Sequence, residues 1–390
     1  MKRNYPVGIQ NFEKIRNGNY CYIDKTDLIY QLIKSGQYYF LSRLRRFGKS
    51  LLISTLEAYF QGKKELFEGL TIEQLEKEWI EYPILHLDLN AQKYDTPESL
   101  YSILNNALCI WESLYGSRPS ETNLSLRFQG VIQRAAEKWN RPVVILIDEY
   151  DKPMLQAIGN EPLLNDYRNT LKAFYGVMKS CDKYIQFALL TGVTKFSKVS
   201  VFSDLNNLMD ISIDNRFANI CGITEKELLS NFKEDIVELG QKNGMTEEET
   251  KAYLKEMYDG YHFVEYGDDI YNPFSLLNTF AKMKFGSYWF ETGTPTFLVE
   301  LLKHSEYDLH RLTEEMTSAD SLGGIDTMYS NPIPILYQSG YLTIKGYDKE
   351  FQVYYLGFPN KEVEEGFTKF LLPYYAHLQT GNKRHREMDC

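Results

Sequence analysis

The chain has 390 residues, of which 43% are hydrophobic and 25% charged, and its formal net charge is −10. This length favours two or three domains over a single core, and the composition is that of a soluble globular protein. The acidic balance argues against broad nucleic-acid binding, because a general binder neutralises phosphates with basic side chains.

Signals for export, membrane insertion or disulfide formation are lacking in the sequence. No run of about 18 or more apolar residues predicts a membrane span, and the N-terminus has no apolar signal-peptide core. The cysteines form no CxxC pair and no Cys/His cluster; they are Cys21, Cys109, Cys181, Cys221 and Cys390. We therefore expect a cytoplasmic protein with reduced cysteines and no contact with a membrane.

The first half of the chain alternates apolar runs with helical patterns, which predicts a parallel α/β sheet flanked by helices. The predicted strands are 37–42, 84–89, 142–147 and 184–190. The predicted helices are 50–59, 97–115, 124–139 and 163–180. The run at 142–147 is the most apolar of the four strands, and acidic residues follow it directly.

The second half loses this alternation. Thr224 and Glu227 have capping-box spacing, and so have Thr246 and Glu249; they predict helices over 224–232 and up to about Tyr258. A short helix is predicted at 332–338, before strands at 341–345 and 352–356 that a polar turn at 346–350 separates. A helix followed by a β-hairpin suggests a winged-helix-like unit.

A candidate phosphate-binding loop follows the first strand, where Ser42 to Ser50 reads SRLRRFGKS. The P-loop pattern GxxxxGK[ST] is matched at Gly48, Lys49 and Ser50, whereas Arg43 stands at the first glycine position. A strand before the loop and a helix starting at Ser50 would direct a helix N-terminus at the phosphates. This context favours nucleotide binding over an ordinary basic turn. The predicted nucleotide-binding residues are Arg45, Arg46, Phe47, Gly48, Lys49, Ser50 and Leu51.

The side chains around this loop have distinct predicted roles. Lys49 would reach the β- and γ-phosphates, and Ser50 would ligate Mg²⁺ through its hydroxyl. The arginines of the loop, which are Arg43, Arg45 and Arg46, would either contact phosphates or pair with nearby acids. Both alternatives stay open.

Two acidic residues end the most apolar strand. In a P-loop protein, Asp148 would hold the Mg²⁺ shell and Glu149 would act as the general base for the attacking water. Their alternative role is to cap the following helix, but the Gly48-Lys49-Ser50 motif upstream argues for the site. Thr191 ends the next strand and would sense the γ-phosphate or position water, unless it merely forms a turn. The predicted catalytic residues are Glu149, Lys49 and Thr191.

Other motifs carry weaker signals. Arg216 is a candidate arginine finger by residue type alone. Tyr258 to Tyr261 and Asn272 to Phe274 read as turns with aromatic anchors, for which core packing is the default interpretation. The sequence contains no GxSxG elbow and no HExxH motif.

Several stretches together carry a family resemblance that covers Pro6 to about Tyr375. They are PVGIQNFEKIRNGNYCYIDKT, FLSRLRRFGKS, LHLDLN, ILIDEYDKP, LLTGVTKFSKVSVFSDLNNL, MYDGYHF, YNPFSLLN, YWFETGTPTFL and LYQSGYLTI. The chain resembles the bacterial AAA-ATPase-like proteins that often carry a C-terminal PD-(D/E)XK nuclease-like domain. The resemblance implies a P-loop ATPase core of the additional-strand, conserved-glutamate type, then a helical lid and a winged-helix-like region.

Carried over position by position, Lys49 and Ser50 match the P-loop of that family, and Asp148 and Glu149 match its acidic strand end. Arg43 is usual there, whereas Leu44 stands where proline is common. The chain stops soon after 371–375 without the carboxylate-and-lysine pattern of the nuclease-like domain, so we expect no nuclease activity. The expected organisation is a P-loop ATPase core at 1–222, a helical lid subdomain at 223–290, a winged-helix-like region at 291–375 and a polar tail at 376–390.

The leading functional hypothesis is a Mg²⁺-dependent ATPase that acts as a switch or motor, with ATP and Mg²⁺ as ligands. The alternative is a nucleotide-responsive regulatory module that hydrolyses little and acts through a protein partner or DNA. The intact Glu149 favours the enzyme, and the net charge of −10 weakens a DNA-binding role. The sequence leaves the choice of ATP or GTP, the oligomeric state and the protein effector open. The segment from Gly192 to Asp210 is the predicted nucleotide switch.

Overall fold

The structure is a computed structural model that describes residues 4–196, 207–264, 267–292, 316–322 and 331–370. The chain forms two compact units. The first unit comprises Met1–Arg43 and Gly48–Cys221, and the second comprises Leu44–Phe47 and Gly222–Cys390. The predicted tail at 376–390 lies outside the described residues, as does much of the predicted winged-helix-like region.

The first unit contains a sheet and the helices that flank it. Its strands are β1 (Tyr38–Ser42), β2 (Ile84–Asp88), β3 (Val143–Asp148), β4 (Ile185–Gly192) and β5 (Met209–Asp210). Its described helices are α1 (Phe12–Asn17), α2 (Thr26–Ser35), α3 (Lys49–Phe60), α4 (Thr71–Leu75), α5 (Pro97–Tyr115), α6 (Leu124–Trp139), α7 (Lys152–Gln156) and α8 (Glu161–Ser180).

The strands of the first unit form one parallel sheet in the order β2-β3-β4-β1-β5. This confirms the predicted parallel α/β sheet. Every residue of β3 is buried, as expected for a strand covered on both faces. The strand β4 separates β1 from β3, so an additional strand stands between the strand that precedes the glycine–lysine turn and the acidic strand. The register pairs Ser42 with Gly192 and Asp88 with Asp148, which brings polar strand ends to one edge.

Local capping explains why the boundaries of α5 and α6 were predictable. Pro97 starts α5 at a position where a missing N–H costs nothing. The side chain of Asn123 accepts a hydrogen bond from the Leu126 N–H at 2.9 Å, which caps α6. Asn140 then ends α6 in the left-handed conformation. Both helices have the predicted bounds, 97–115 and 124–139.

The second unit is mainly helical, with two small antiparallel sheets. Its described helices are α9 (Glu225–Asn231), α10 (Lys233–Asn243), α11 (Glu247–Tyr258), α12 (Pro273–Lys282), α13 (Tyr288–Glu291), α14 (Ala319–Leu322), α15 (Ile333–Gln338) and α16 (Lys361–Phe370). Its strands are β6 (Ile223–Thr224), β7 (Ile270–Tyr271), β8 (Met316–Ser318), β9 (Thr343–Asp348) and β10 (Val353–Gly357). Among the described residues no helix is long and apolar enough to cross a membrane.

The C-terminal hairpin was predicted with its turn in the wrong place. The strand β9 continues through Gly346 to Asp348, and Asp348 pairs with Val353 of β10. The turn follows because Asp348 Oδ1 accepts the backbone N–H of Glu350 at 2.8 Å and that of Phe351 at 3.1 Å. The strand β8 adds a third, unpredicted strand beside β10. The winged-helix-like unit itself stays a prediction.

Candidate functional site

A left-handed turn links β1 to α3. Gly48 is the N-cap residue of α3 and has φ 101°, a conformation that favours glycine. Arg46 also has a positive φ, 64°. The helix α3 begins at Lys49, one residue before the predicted start. The N-terminus of a twelve-residue helix therefore follows a glycine turn, as a phosphate-binding loop requires.

Lys49 and Glu149, two of the predicted catalytic residues, are brought together. The Lys49 side chain is 3% exposed, and its Nζ lies 3.3 Å from Oε1 of Glu149. The same ammonium group donates a hydrogen bond to the carbonyl oxygen of Arg43 at 3.0 Å. A buried ammonium needs such partners, because an uncompensated charge in the interior is costly. The ion pair joins the start of α3 to the end of β3.

Asp148 and Thr191 form a second predicted pair. The fully buried Thr191 donates its hydroxyl hydrogen to Oδ1 of Asp148 at 2.5 Å. The backbone N–H of Glu149 donates to the same oxygen at 3.0 Å. Glu149 has φ 53°, an uncommon conformation for a residue with a side chain and one that clusters at functional sites. Thr191 therefore contacts the acidic strand end instead of forming a simple turn.

Asp151 is a residue to which the sequence reasoning gave no role. Its buried carboxylate accepts the Thr194 N–H and hydroxyl, both at 2.6 Å, and also the Val193 N–H. Burial and the neighbouring Glu149 carboxylate raise the pKa of Asp151 to about 6. A Cβ at Gly192 would lie 2.5 Å from Asp151 Oδ1, so only glycine fits there. The signal was the second aspartate of the DEYD run, and this residue fixes the chain after β4.

The arginines of the loop differ in their surroundings. Arg43 is buried and donates hydrogen bonds to backbone carbonyl groups, among them those of Ser212 at 2.8 Å and Ala218 at 3.3 Å. These bonds make Arg43 a structural anchor of the loop, a role that the sequence analysis did not consider. Arg45 and Arg46 are exposed. Arg216, the candidate finger, pairs with Asp214 at 2.6 Å.

The remaining predicted ligands fall into two groups. Ser50 and Leu51 are half-buried in the first turn of α3, next to Lys49. The side chain of Phe47 is buried in the second unit. Only the backbone N–H of Phe47 is therefore a candidate for contact with a phosphate. The predicted switch, 192–210, is described only at its ends, because residues 197–206 lie outside the described residues. At those ends, Lys195 forms an ion pair with Asp210.

The site fits a magnesium–nucleotide complex. A Cβ at Gly48 would meet no atom within 4 Å, so there is room beside the turn. Both hydrogen bonds to Asp148 use Oδ1. The described residues hold no cluster of three or more His, Cys, Asp or Glu side chains placed to bind a metal ion. The Asp148 carboxylate is a ligand of the kind that Mg²⁺ prefers, since this ion usually binds one or two protein ligands together with water and substrate phosphates.

A parallel sheet with a glycine–lysine turn before a helix, and with that lysine paired to an acidic strand end, defines a P-loop-like α/β protein. The chain belongs to the AAA-ATPase-like family, since residues 6–202 match the family model described as Predicted AAA-ATPase. It is also 37% identical over 377 residues to a protein of Azotobacter chroococcum mcd 1 described as "Uncharacterized protein in vnfD 5'region". That alignment covers 96% of this chain and 71% of the relative. No solved structure matches the chain.

Proposed function

We propose that this protein binds ATP with Mg²⁺ and hydrolyses it. The observation that carries the proposal is the ion pair of 3.3 Å between Lys49, at the start of α3, and Glu149, at the end of β3. In a P-loop ATPase these two side chains face the same phosphate, one as a cation and the other as a base. A purely structural pair would not require the glycine turn that precedes Lys49.

Each side chain has a proposed task. The backbone N–H groups from Gly48 to Leu51 surround phosphate oxygens, and Lys49 turns from Glu149 to the β- and γ-phosphates. Glu149 then accepts a proton from the attacking water. When bound, Mg²⁺ would neutralise phosphate charge, held by the Ser50 hydroxyl and by Asp148. Thr191 fixes the Asp148 carboxylate through its hydroxyl group.

The division of the chain into domains is also a proposal. We propose a P-loop ATPase core at 1–222, a helical lid at 223–290 and a winged-helix-like region at 291–375. The sheet of the first unit supports the core, α9 to α12 support the lid, and the helix α15 with the β9–β10 hairpin supports the last region. The protein would act as a switch or motor on a protein effector. A cytoplasmic location rests on the scattered cysteines of the sequence.

Steady-state ATP hydrolysis tests this proposal. The wild-type protein should release phosphate in the presence of Mg²⁺ and stop when EDTA removes it. Glu149→Gln keeps the shape of the side chain but accepts no proton, so turnover should fall roughly 10²-fold or more while nucleotide binding is retained. Normal turnover by Glu149→Gln would show that Glu149 is not the base. Binding without turnover in the wild type would favour the regulatory module.

A further inference from the structure

Four residues of the phosphate-binding loop belong to the second unit. The chain leaves the first unit after Arg43, contributes Leu44–Phe47 to the second and rejoins the first at Gly48. The aromatic motifs for which the sequence suggested only core packing all lie in the second unit. Residues of both motifs contact the segment Leu44–Phe47: Tyr261 contacts Phe47, and Phe274 contacts Arg46.

An aromatic cluster holds the side chains of this segment. Phe47 is 1% exposed. Its ring packs edge-on against Tyr261 and Phe263, with centroids 5.3 and 5.4 Å apart. The guanidinium of Arg46 lies 4.9 Å from the centre of the Phe274 ring, within the range of a cation–π contact. A Cβ at Gly222 would come within 2.6 Å of the Phe47 ring, so the cluster is closely packed.

Trp289 holds the backbone of the same segment. Its indole Nε1–H donates a hydrogen bond to the carbonyl oxygen of Arg45 at 3.0 Å. Trp289 is 6% exposed, so water competes little for this bond. The bond fixes the peptide that enters Arg46. The positive φ of Arg46 costs free energy and persists only where the surrounding structure enforces it.

Glu362 of α16 holds Trp289 in turn. Its fully buried carboxyl group accepts the backbone N–H of Trp289 at 2.8 Å. It also accepts the hydroxyl of Ser275, at 2.7 Å to one oxygen and 2.9 Å to the other. Ser275 follows Phe274 in the chain. One buried side chain therefore ties together both elements that contact Arg45 and Arg46. Burial raises the pKa of Glu362 to about 7. The neutral side chain of glutamine is therefore a close mimic of its protonated carboxyl group.

We propose that Trp289, oriented by Glu362, is a positioning residue of the second unit that sets the backbone of the phosphate-binding loop for nucleotide. This inference rests on the proposed ATP binding. A loop already fixed in its binding conformation loses less entropy when the ligand arrives. Changes at Glu362, more than 300 residues from the loop in sequence, should therefore alter nucleotide affinity without contact with nucleotide.

A matched pair of variants tests this role. Trp289→Phe keeps an aromatic ring and removes the indole donor. Trp111→Phe is the control, because Trp111 has the same 6% exposure and stacks on Phe128 in the first unit. Without nucleotide, amide exchange at residues 45–48 should accelerate severalfold in Trp289→Phe alone. The Kd for Mg²⁺ with a non-hydrolysable ATP analogue should rise about fivefold, as expected from one lost hydrogen bond.

The outcomes separate this inference from the proposed function. Wild-type protein that binds no nucleotide would overturn both. If the wild type binds and Trp289→Phe matches Trp111→Phe in exchange and in Kd, this inference alone fails. Glu362 gives a second test with rescue: Glu362→Ala should weaken affinity like Trp289→Phe, whereas Glu362→Gln keeps an acceptor and should stay within about twofold of wild type. Equal effects of the two Glu362 substitutions would contradict the role of Glu362. Should Glu362→Ala not fold, the tryptophan pair decides.

Discussion

Lys49 has a protein partner before any nucleotide arrives. Its ammonium group contacts a carboxylate and a backbone carbonyl oxygen, and the side chain is almost fully buried. Phosphate binding would therefore exchange one anionic partner of Lys49 for another, so the buried ammonium group would keep a counter-charge throughout. The exchange would also release Glu149 toward the reacting water. If the protein hydrolyses ATP as proposed, the resting ion pair would couple nucleotide binding to catalysis.

The Thr191 hydroxyl has a testable role at the same scale. Thr191→Val replaces the hydroxyl by a methyl group and leaves Asp148 without its hydrogen bond of 2.5 Å. We expect a loss of about 1 kcal/mol in the free energy of unfolding. Turnover should fall about tenfold or more because the acidic strand end loses its orientation. Phosphate release and chemical denaturation measure the two effects.

Thr250→Val is the matched control for this variant. Thr250 of α11 is also fully buried, and its hydroxyl donates to the carbonyl oxygen of Thr246, the N-cap residue of that helix. Its loss of stability should be of the same order as that of Thr191→Val, with turnover unchanged. Thr191→Ser, which retains the hydroxyl, should recover most of the activity. Equal turnover in Thr191→Val and Thr250→Val would assign Thr191 to stability alone.

At the scale of elements, the sequence predicts best where local signals and burial agree. The strand β3 is a run of apolar residues that is buried throughout, and α5 and α6 have both an apolar face and a cap. The capping boxes at Thr224 and Thr246 are both formed. In each case the residues that specify the element lie within it or next to it.

Elements that depend on distant partners were missed. The strand β8 has three residues, and its pairing with β10 involves residues more than thirty positions away. The helix α10 starts at Lys233, and its N-cap residue Phe232 provides no side-chain cap. In the candidate site, the motif pointed to Lys49 and Glu149, but nothing local indicated that Phe47 packs on Tyr261 or that Arg43 binds carbonyl groups. Such contacts form between residues remote in sequence.

The end of β4 offers a prediction about movement. The Asp151 carboxylate accepts hydrogen bonds from the backbone N–H groups of Val193 and Thr194. The nearby Glu149 carboxylate contributes, after burial, to the raised pKa of Asp151. A nucleotide that changes the partners of Lys49 and Glu149 should therefore alter the stability of this turn. We expect slower amide exchange over 192–210 with a non-hydrolysable ATP analogue than with ADP. Equal exchange with both nucleotides bound would show that this segment is not the switch.

At the scale of the whole molecule, charge restricts the partners. Acidic residues outnumber basic ones by 53 to 43, which opposes contact with a polyanion. We expect weak binding to duplex DNA by the purified protein, measured by fluorescence anisotropy across a series of salt concentrations. A binder that used many phosphate contacts would lose affinity steeply as salt rises. Tight, salt-sensitive binding would contradict this prediction and would support the DNA-directed alternative.

The most direct test of the account is calorimetric titration of Mg²⁺–ATP into wild-type protein and Lys49→Ala. Lys63→Ala is the control, because Lys63 pairs with Glu13 and has no proposed contact with nucleotide. We expect Lys49→Ala to lose affinity by at least about tenfold, roughly 1.4 kcal/mol, because it removes the cation that opposes phosphate charge. Lys63→Ala should bind like the wild type. A folded Lys49→Ala protein with unchanged affinity would contradict nucleotide binding at this loop.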